Sequence, residues 1–144
     1  MSEAGAMTIR TERLKLRMPD IGDFAAYAEN VALWQLFGHG ALTIELGETG
    51  ECVGQVGINH GPLFPEKELG WFVYEPYEGR GYATEAALAL RDWAFATLKL
   101  PSLVSYIAPG NAASVAVAER LGARLDPVAP RTDPADLVYR HLAS

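Results

Sequence analysis

Cysteine is nearly absent from this chain. Cys52 is the single one, so no internal disulfide framework can staple the fold. A lone small residue in a strand-like segment is expected to be buried as a weakly polar hydrophobe. Long apolar runs are also missing. None approaches the ~20 residues of a membrane span, and the first residues show no basic-then-apolar leader pattern. The expected compartment is the cytosol. There is no surplus of basic residues: 12 Lys and Arg stand against 18 Asp and Glu, for a net charge of −6. Phosphate backbones are bound by concentrated basic stripes, so this balance argues against a nucleic-acid surface. It weakly favours a cationic amine as a small-molecule partner. His39 and His60 each sit alone in a glycine-containing loop, without metal-ligand spacing. Both read as surface loop residues, with the wall of a ligand pocket as the alternative.

What is present fits one globular domain over residues 1–144, since 49% hydrophobic content with 21% charge is ordinary for a folded chain. Leu14, Leu16 and Met18 alternate with Lys15 and Arg17, the period of a half-buried strand. Pro19 and Asp20 then open a helical pattern containing Phe24, Ala25, Tyr27 and Ala28. Two alternating runs, 41–46 and 52–58, are joined by Gly47-Glu48-Thr49-Gly50 and read as a hairpin. Residues 60–67 read as a loop, followed by a strand over 69–74. Apolar Ala86, Leu90, Trp93, Ala94 and Leu98 recur at helical spacing over 82–98. A strand is expected over 103–108. A helix capped by Asn111 should run to Leu121, with Gly122 just beyond it. The last strand is expected over 136–140.

The most informative run is Glu78-Gly79-Arg80-Gly81-Tyr82-Ala83-Thr84-Glu85-Ala86. It lies between the strand and the long helix. The first turn of a helix leaves its N–H donors unpaired at the positive end of the macrodipole, which suits a phosphate. Gly79 and Gly81 can take positive φ and hold no Cβ against a ligand. Arg80 between them can supply a cation. The run predicts a pyrophosphate cradle. It is not a Walker A loop, because no Gly-Lys-Ser/Thr ending occurs in the chain. The dinucleotide fingerprint fails as well, since Thr84 stands at its third small position and the preceding strands alternate like antiparallel ones.

Glu78-x-x-Gly81-x-Ala83 resembles motif A of the GNAT superfamily of acyl-CoA N-acyltransferases. The extension Gly81-Tyr82-Ala83-Thr84-Glu85-Ala86 resembles the ribosomal-protein N-α-acetyltransferase (RimJ/RimL-like) branch. Thr11-Glu12-Arg13-Leu14-Lys15-Leu16-Arg17 is similar to the opening strand of that branch. Thr49-Gly50-Glu51-Cys52-Val53-Gly54-Gln55-Val56-Gly57 is similar to its central hairpin, and Asn111-x-x-Ser114 with Ala118-Glu119-Arg120-Leu121-Gly122 to its fourth motif helix.

The resemblance implies an α+β fold, a mixed and mostly antiparallel sheet flanked by helices and split by a CoA slot. It implies acetyl transfer from acetyl-CoA to a primary amine, either a protein N-terminus or a small amine, by direct attack. A catalytically weak acyl-CoA-binding module is the alternative. Cofactor contacts are implied for Phe72, Val73, Gly79, Arg80, Gly81, Tyr82, Ala83, Thr84, Asn111 and Ser114. Trp71 and Phe72 read equally as core residues. Glu68 matches a position where some members place a base for the amine proton. Many members place a Tyr seven residues after the Asn, where this chain has Ala118, so Ser114 is left as the donor to the departing thiolate. Glu78 stands where Gln or Arg is more usual. Only residues 29–40 are available for the acceptor-side segment, which is longer in the branch; either the pocket is trimmed or residues are missing there. No metal, nucleic acid or membrane is implied, and a homodimer is left open.

Overall fold

The computed structural model describes residues 8–18 and 40–143. The helix expected from Pro19 onward and His39 lie outside the described residues. An eight-stranded sheet organises the rest, in the order β1-β2-β3-β4-β5-β6-β8-β7. The strands are β1 (Thr8–Arg10), β2 (Leu14–Arg17), β3 (Ala41–Leu46), β4 (Cys52–Gly61), β5 (Phe64–Val73), β6 (Ser102–Ile107), β7 (Arg124–Leu125) and β8 (Leu137–Leu142). Helix α1 spans Tyr82–Trp93 and continues as a wider π turn over Ala94–Leu98; helix α2 spans Ala112–Arg120.

Alternation decides which face of the sheet is covered. Leu14 and Leu16 are buried while Lys15 and Arg17 are only half-buried, as a period of two requires. With Leu42, Ile44, Val53, Val56, Ile58 and Leu69 they form the main core. Ala86, Leu90 and Ala94 of α1 are fully buried in that core, and Val117 and Leu121 extend it along α2. Small residues on the buried stripe let α1 lie close to the sheet, which fixes where its N-terminus emerges.

Every neighbouring pair of strands is antiparallel except one. β5 and β6 run parallel and register only at Glu68↔Val104. Beyond that point they part. β4 accompanies β5 from Asn59↔Glu68 to Gly54↔Val73, so the far end of β5 is paired on one edge and open on the other. This is the split sheet that the resemblance implies.

Three expectations need correction. Residues 60–67 are not a loop: β4 runs on to Gly61 and β5 starts at Phe64, so His60 is a strand residue. The composition misleads because Pro65 reads as a strand breaker, yet it falls beside the irregular register between Asn59 and Gly61, where a missing N–H is tolerated. Cys52 is exposed rather than buried, because it opens β4 at the rim while Val53 takes the inward position. Finally, residues 11–13 do not belong to the opening strand. They turn the chain between β1 and β2, with Thr11 N–H bonded to Leu14 O at 2.9 Å.

Candidate active site: a slot between parted strands

Strand β5 leads through a single 3₁₀ turn, Glu75–Tyr77, into the glycine run. Gly79 and Gly81 both adopt left-handed backbone, with φ of 79° and 82°. The conformation that only glycine takes freely is thus used at both positions. Gly81 is the N-cap of α1 and offers no side chain to its first turn. Apart from the Glu85 N–H, which reaches Gly81 O at 3.0 Å, the leading amides have no partner of their own within the helix. Thr84 Oγ1 is buried there and lacks a hydrogen-bond partner. The open amides at this helix start suit a phosphate oxygen, while the Thr84 hydroxyl is closed off from solvent.

The cradle opens into a cavity of about 1130 Å³. Its walls include Trp71, Phe72 and Val73 from the open edge of β5, Gly79 and the 81–85 segment, and Asn111, Ser114, Val117 and Arg120 from α2. Asn111 caps α2 as expected, its Oδ1 accepting the Ser114 N–H at 3.1 Å. The same side chain lines the slot, so Nδ2 is the donor it can offer a ligand. Ser114 also faces the slot. Ala118 is fully buried against Ile107 and Tyr139, so nothing at that position reaches the cavity.

The structure brings nearly all the residues expected to contact a cofactor into the lining of one cavity. Arg80 is the one left out: it is exposed, and its side chain is not part of the cavity wall. Arg120, which sequence reasoning did not single out, is part of that wall. Its signal was the helical spacing of Ala113, Ala116, Val117 and Arg120, one face with small residues leading to a cation.

Glu68 sits at the fork itself. Its carboxylate accepts from Asn59 Nδ2 at 2.8 Å and from the Tyr106 backbone N–H at 3.2 Å, an amide that the parting strands leave unpaired. Burial pushes its carboxyl above the ordinary Glu value, and those two hydrogen bonds pull the other way without cancelling the rise. Glu68 does not line the large cavity. It lines a second one of about 380 Å³, with Gln55, Gly57 and Asn59. Trp71 and Phe72 belong to both cavities. Strand β4 lies tight under this wall: a Cβ on Gly54 would come within 2.1 Å of Phe72 O.

Behind the cradle lies a network that no local spacing announces. Glu85 accepts from Thr11 Oγ1 at 2.5 Å, from Arg13 N–H at 2.9 Å and from Arg13 Nε at 2.6 Å. Burial raises the Glu85 carboxyl, but these hydrogen bonds outweigh it and hold the group below its ordinary value.

The geometry is that of an open slot bounded by parted parallel strands and the N-termini of two helices. The chain belongs to the acetyltransferase (GNAT) domain family, whose model matches residues 17–124. An acetyltransferase from Agrobacterium tumefaciens str. C58 is 57% identical and superposes with a TM-score of 0.90 over 95% of each chain. The Bacillus subtilis (strain 168) protein YkkB is 38% identical over 76 residues, which are 51% of this chain and 44% of YkkB. The chain spans less than half the length of the curated relatives it matches. A RimL ribosomal-protein α-N-acetyltransferase in complex with coenzyme A shares the fold, with a TM-score of 0.71 and 18% identity over 94% of this chain and 98% of that one. Among the described residues, no helix is long and apolar enough to cross a membrane.

Proposed function

We propose that this chain transfers an acetyl group from acetyl-CoA to a primary amine, a protein N-terminus or a small amine, in the manner of the RimJ/RimL-like branch. One observation carries the reading: a single cavity joins the Gly79 and Gly81 turn, the open edge of β5 and the capped start of α2. Acetyl-CoA supplies the activated carbonyl and a thiolate leaving group. Amides of Gly81, Tyr82 and Ala83, the Thr84 hydroxyl and the Arg120 cation would hold its phosphates. The unpaired edge at Phe72 and Val73, with Asn111 Nδ2, would hold the extended arm as a strand holds its neighbour.

The chemistry asks little more of the side chains. The amine nitrogen forms the new C–N bond as the C–S bond breaks, and the sulfur takes the electron pair. Glu68, directly or through a water, accepts the amine proton from the smaller cavity. Burial raises its carboxyl above the ordinary Glu value, the direction that strengthens it as a base. Ser114 donates a hydrogen bond to the departing sulfur. Most of the rate would come from holding the two reactants in one geometry. A relative with coenzyme A bound and the same fold supports this reading.

A second reading, a weakly catalytic acyl-CoA-binding module, is favoured by one feature: Ala118 is buried and puts no acid in the slot. Thiol release from acetyl-CoA, measured with a panel of small amines and N-terminal peptides, separates the two. Amine-dependent release supports the transferase. Binding of acetyl-CoA with no release above the buffer rate for any amine would leave the binding module.

A further inference from the structure

We propose that Arg13 is a positioning residue for the phosphate cradle, fixing the glycine turn from behind and cancelling the Glu85 charge at the slot wall. The inference rests on the acyl-CoA reading above. Arg13 itself does not line the cavity, so direct ligand contact is not its task. Its guanidinium instead packs against the turn itself. Nη1 donates to Arg80 O at 2.9 Å, Cζ lies 4.7 Å from the Tyr82 ring centroid, and Nη2 lies 3.3 Å from where a Gly81 Cβ would stand.

The grip on Arg80 O has a directional consequence. In a trans peptide, the carbonyl and the following N–H point opposite ways. Pulling Arg80 O toward Arg13 therefore turns the Gly81 N–H toward the slot, where an anion can use it.

Charge gives the second argument. Glu12, Glu78 and Glu85 all line the slot, an unfavourable wall for a ligand rich in phosphate. Glu85 lies in the first turn of α1, where it competes with the anion for the positive helix end. The 2.6 Å ion pair with Arg13 neutralises it in place, although side-chain exposures of 43% and 19% mean that solvent screens part of this. Thr11 and the Arg13 amide hold the carboxylate so that it does not swing toward the ligand.

Calorimetric titration of CoA into the wild type, Arg13→Gln, Glu85→Gln and the double variant tests the idea by sign. Arg13→Gln should bind about tenfold more weakly at low ionic strength, a deficit that shrinks with salt. Glu85→Gln removes a negative charge and keeps the cation, so CoA should bind as tightly as to wild type or tighter. The double variant should bind about threefold more tightly than Arg13→Gln, because the Glu85 charge is gone, yet stay weaker than wild type, because the grip on Arg80 O is lost in both. A purely structural brace predicts a different pattern, in which both single variants weaken binding and the double is no better. That pattern, or an Arg13→Gln affinity equal to wild type, overturns the proposal. Absence of CoA binding by the wild type overturns the acyl-CoA reading beneath it, and the two failures are thereby distinct.

Discussion

Ser105 Oγ donates to Leu69 O at 2.6 Å in the place where β5 and β6 stop pairing through their backbones. His141 completes the pin, its Nε2 lying 2.8 Å from the same hydroxyl and its ring edge-on to Trp71. With the hydroxyl proton committed to Leu69, Nε2 carries the hydrogen and Nδ1 is a bare acceptor, buried without a partner. The opening of the slot is therefore set by a side-chain bond. The fork needs one, because an unpaired carbonyl in the core would go unsatisfied.

Ser105→Ala leaves Leu69 O and His141 Nε2 unpaired in a buried site. The expected loss of folding stability is about 2–3 kcal/mol, one desolvation penalty of moderate size for each group. Denaturant unfolding of the variant beside wild type measures it. A loss under about 0.5 kcal/mol would mean that the fork is held elsewhere.

Acid should unfold this protein in part through His141. Burial holds its pKa down to about 4 from an ordinary 6.5, with the Arg91 charge adding to the shift. The folded value is depressed, so the unfolded state takes the proton first. Stability is full above about 6.5 and is lost as pH falls from there through about 4. Integrated over that window the loss is about 3 kcal/mol. Melting temperatures between pH 7 and 4 should show it, and His141→Gln should flatten the curve over the same range.

Glu68→Gln separates chemistry from folding. A base works ionised, and burial raises the pH at which this one ionises, so the acidic limb of the pH–rate profile should lie above the ordinary Glu value of 4.5. The variant should lose that limb and have a lower kcat, with little change in KM for acetyl-CoA. Folding moves in the opposite sense. A raised folded pKa contributes stability below the unfolded value that is lost as pH rises through the folded one, so ionised Glu68 weakens the fold at neutral pH. Gln should be as stable as Glu or more so at pH 7. An unchanged kcat across pH removes the proposed base.

Thr84→Val deletes a hydroxyl that the fold does not use. Since Oγ1 is buried and unpartnered, stability should hold or rise slightly. CoA affinity should fall by about 0.5–1.5 kcal/mol, the net value of one lost hydrogen bond. Equal affinity would show that the phosphates do not reach the Thr84 hydroxyl.

Asn111 has two jobs on one side chain, and two substitutions divide them. Asn111→Asp keeps the oxygen that accepts from Ser114 N–H and loses the Nδ2 donor. It should preserve stability and weaken CoA binding. Asn111→Ala loses both, adding a capping penalty of about 1 kcal/mol. Ser114→Ala should leave stability alone and lower kcat moderately. Thermal melts paired with calorimetry check the two Asn111 variants, and steady-state kinetics the Ser114 one.

Much of the site was legible because it is local. Positive-φ glycines, a helix start and an N-cap are written within a few neighbouring residues, so Gly79, Gly81, Thr84 and Asn111 could be read directly. The alternation of β2 and β3 and the stripe on α1 were equally plain. What stayed hidden depends on long-range contacts. No spacing rule links Arg13 to Glu85, 72 residues away, or Ser105 to Leu69 and His141. Arg80 falls outside the cavity wall for a related reason: its position in the run is local, but the direction of its side chain is set by the turn. His60 was misplaced because Gly61, Pro62 and Pro65 mimic loop composition in what is a tight hairpin.

The two cavities meet at Trp71 and Phe72 and otherwise have separate walls. Donor and acceptor sides of such a molecule can drift independently. On the acyl-transfer reading, substitutions at Ala41 or Gln55 would reshape the smaller chamber without disturbing the larger, so a descendant could exchange one amine for another and inherit its acyl supply intact. Gly54 marks the limit of that freedom, because a side chain there would push on the partition itself.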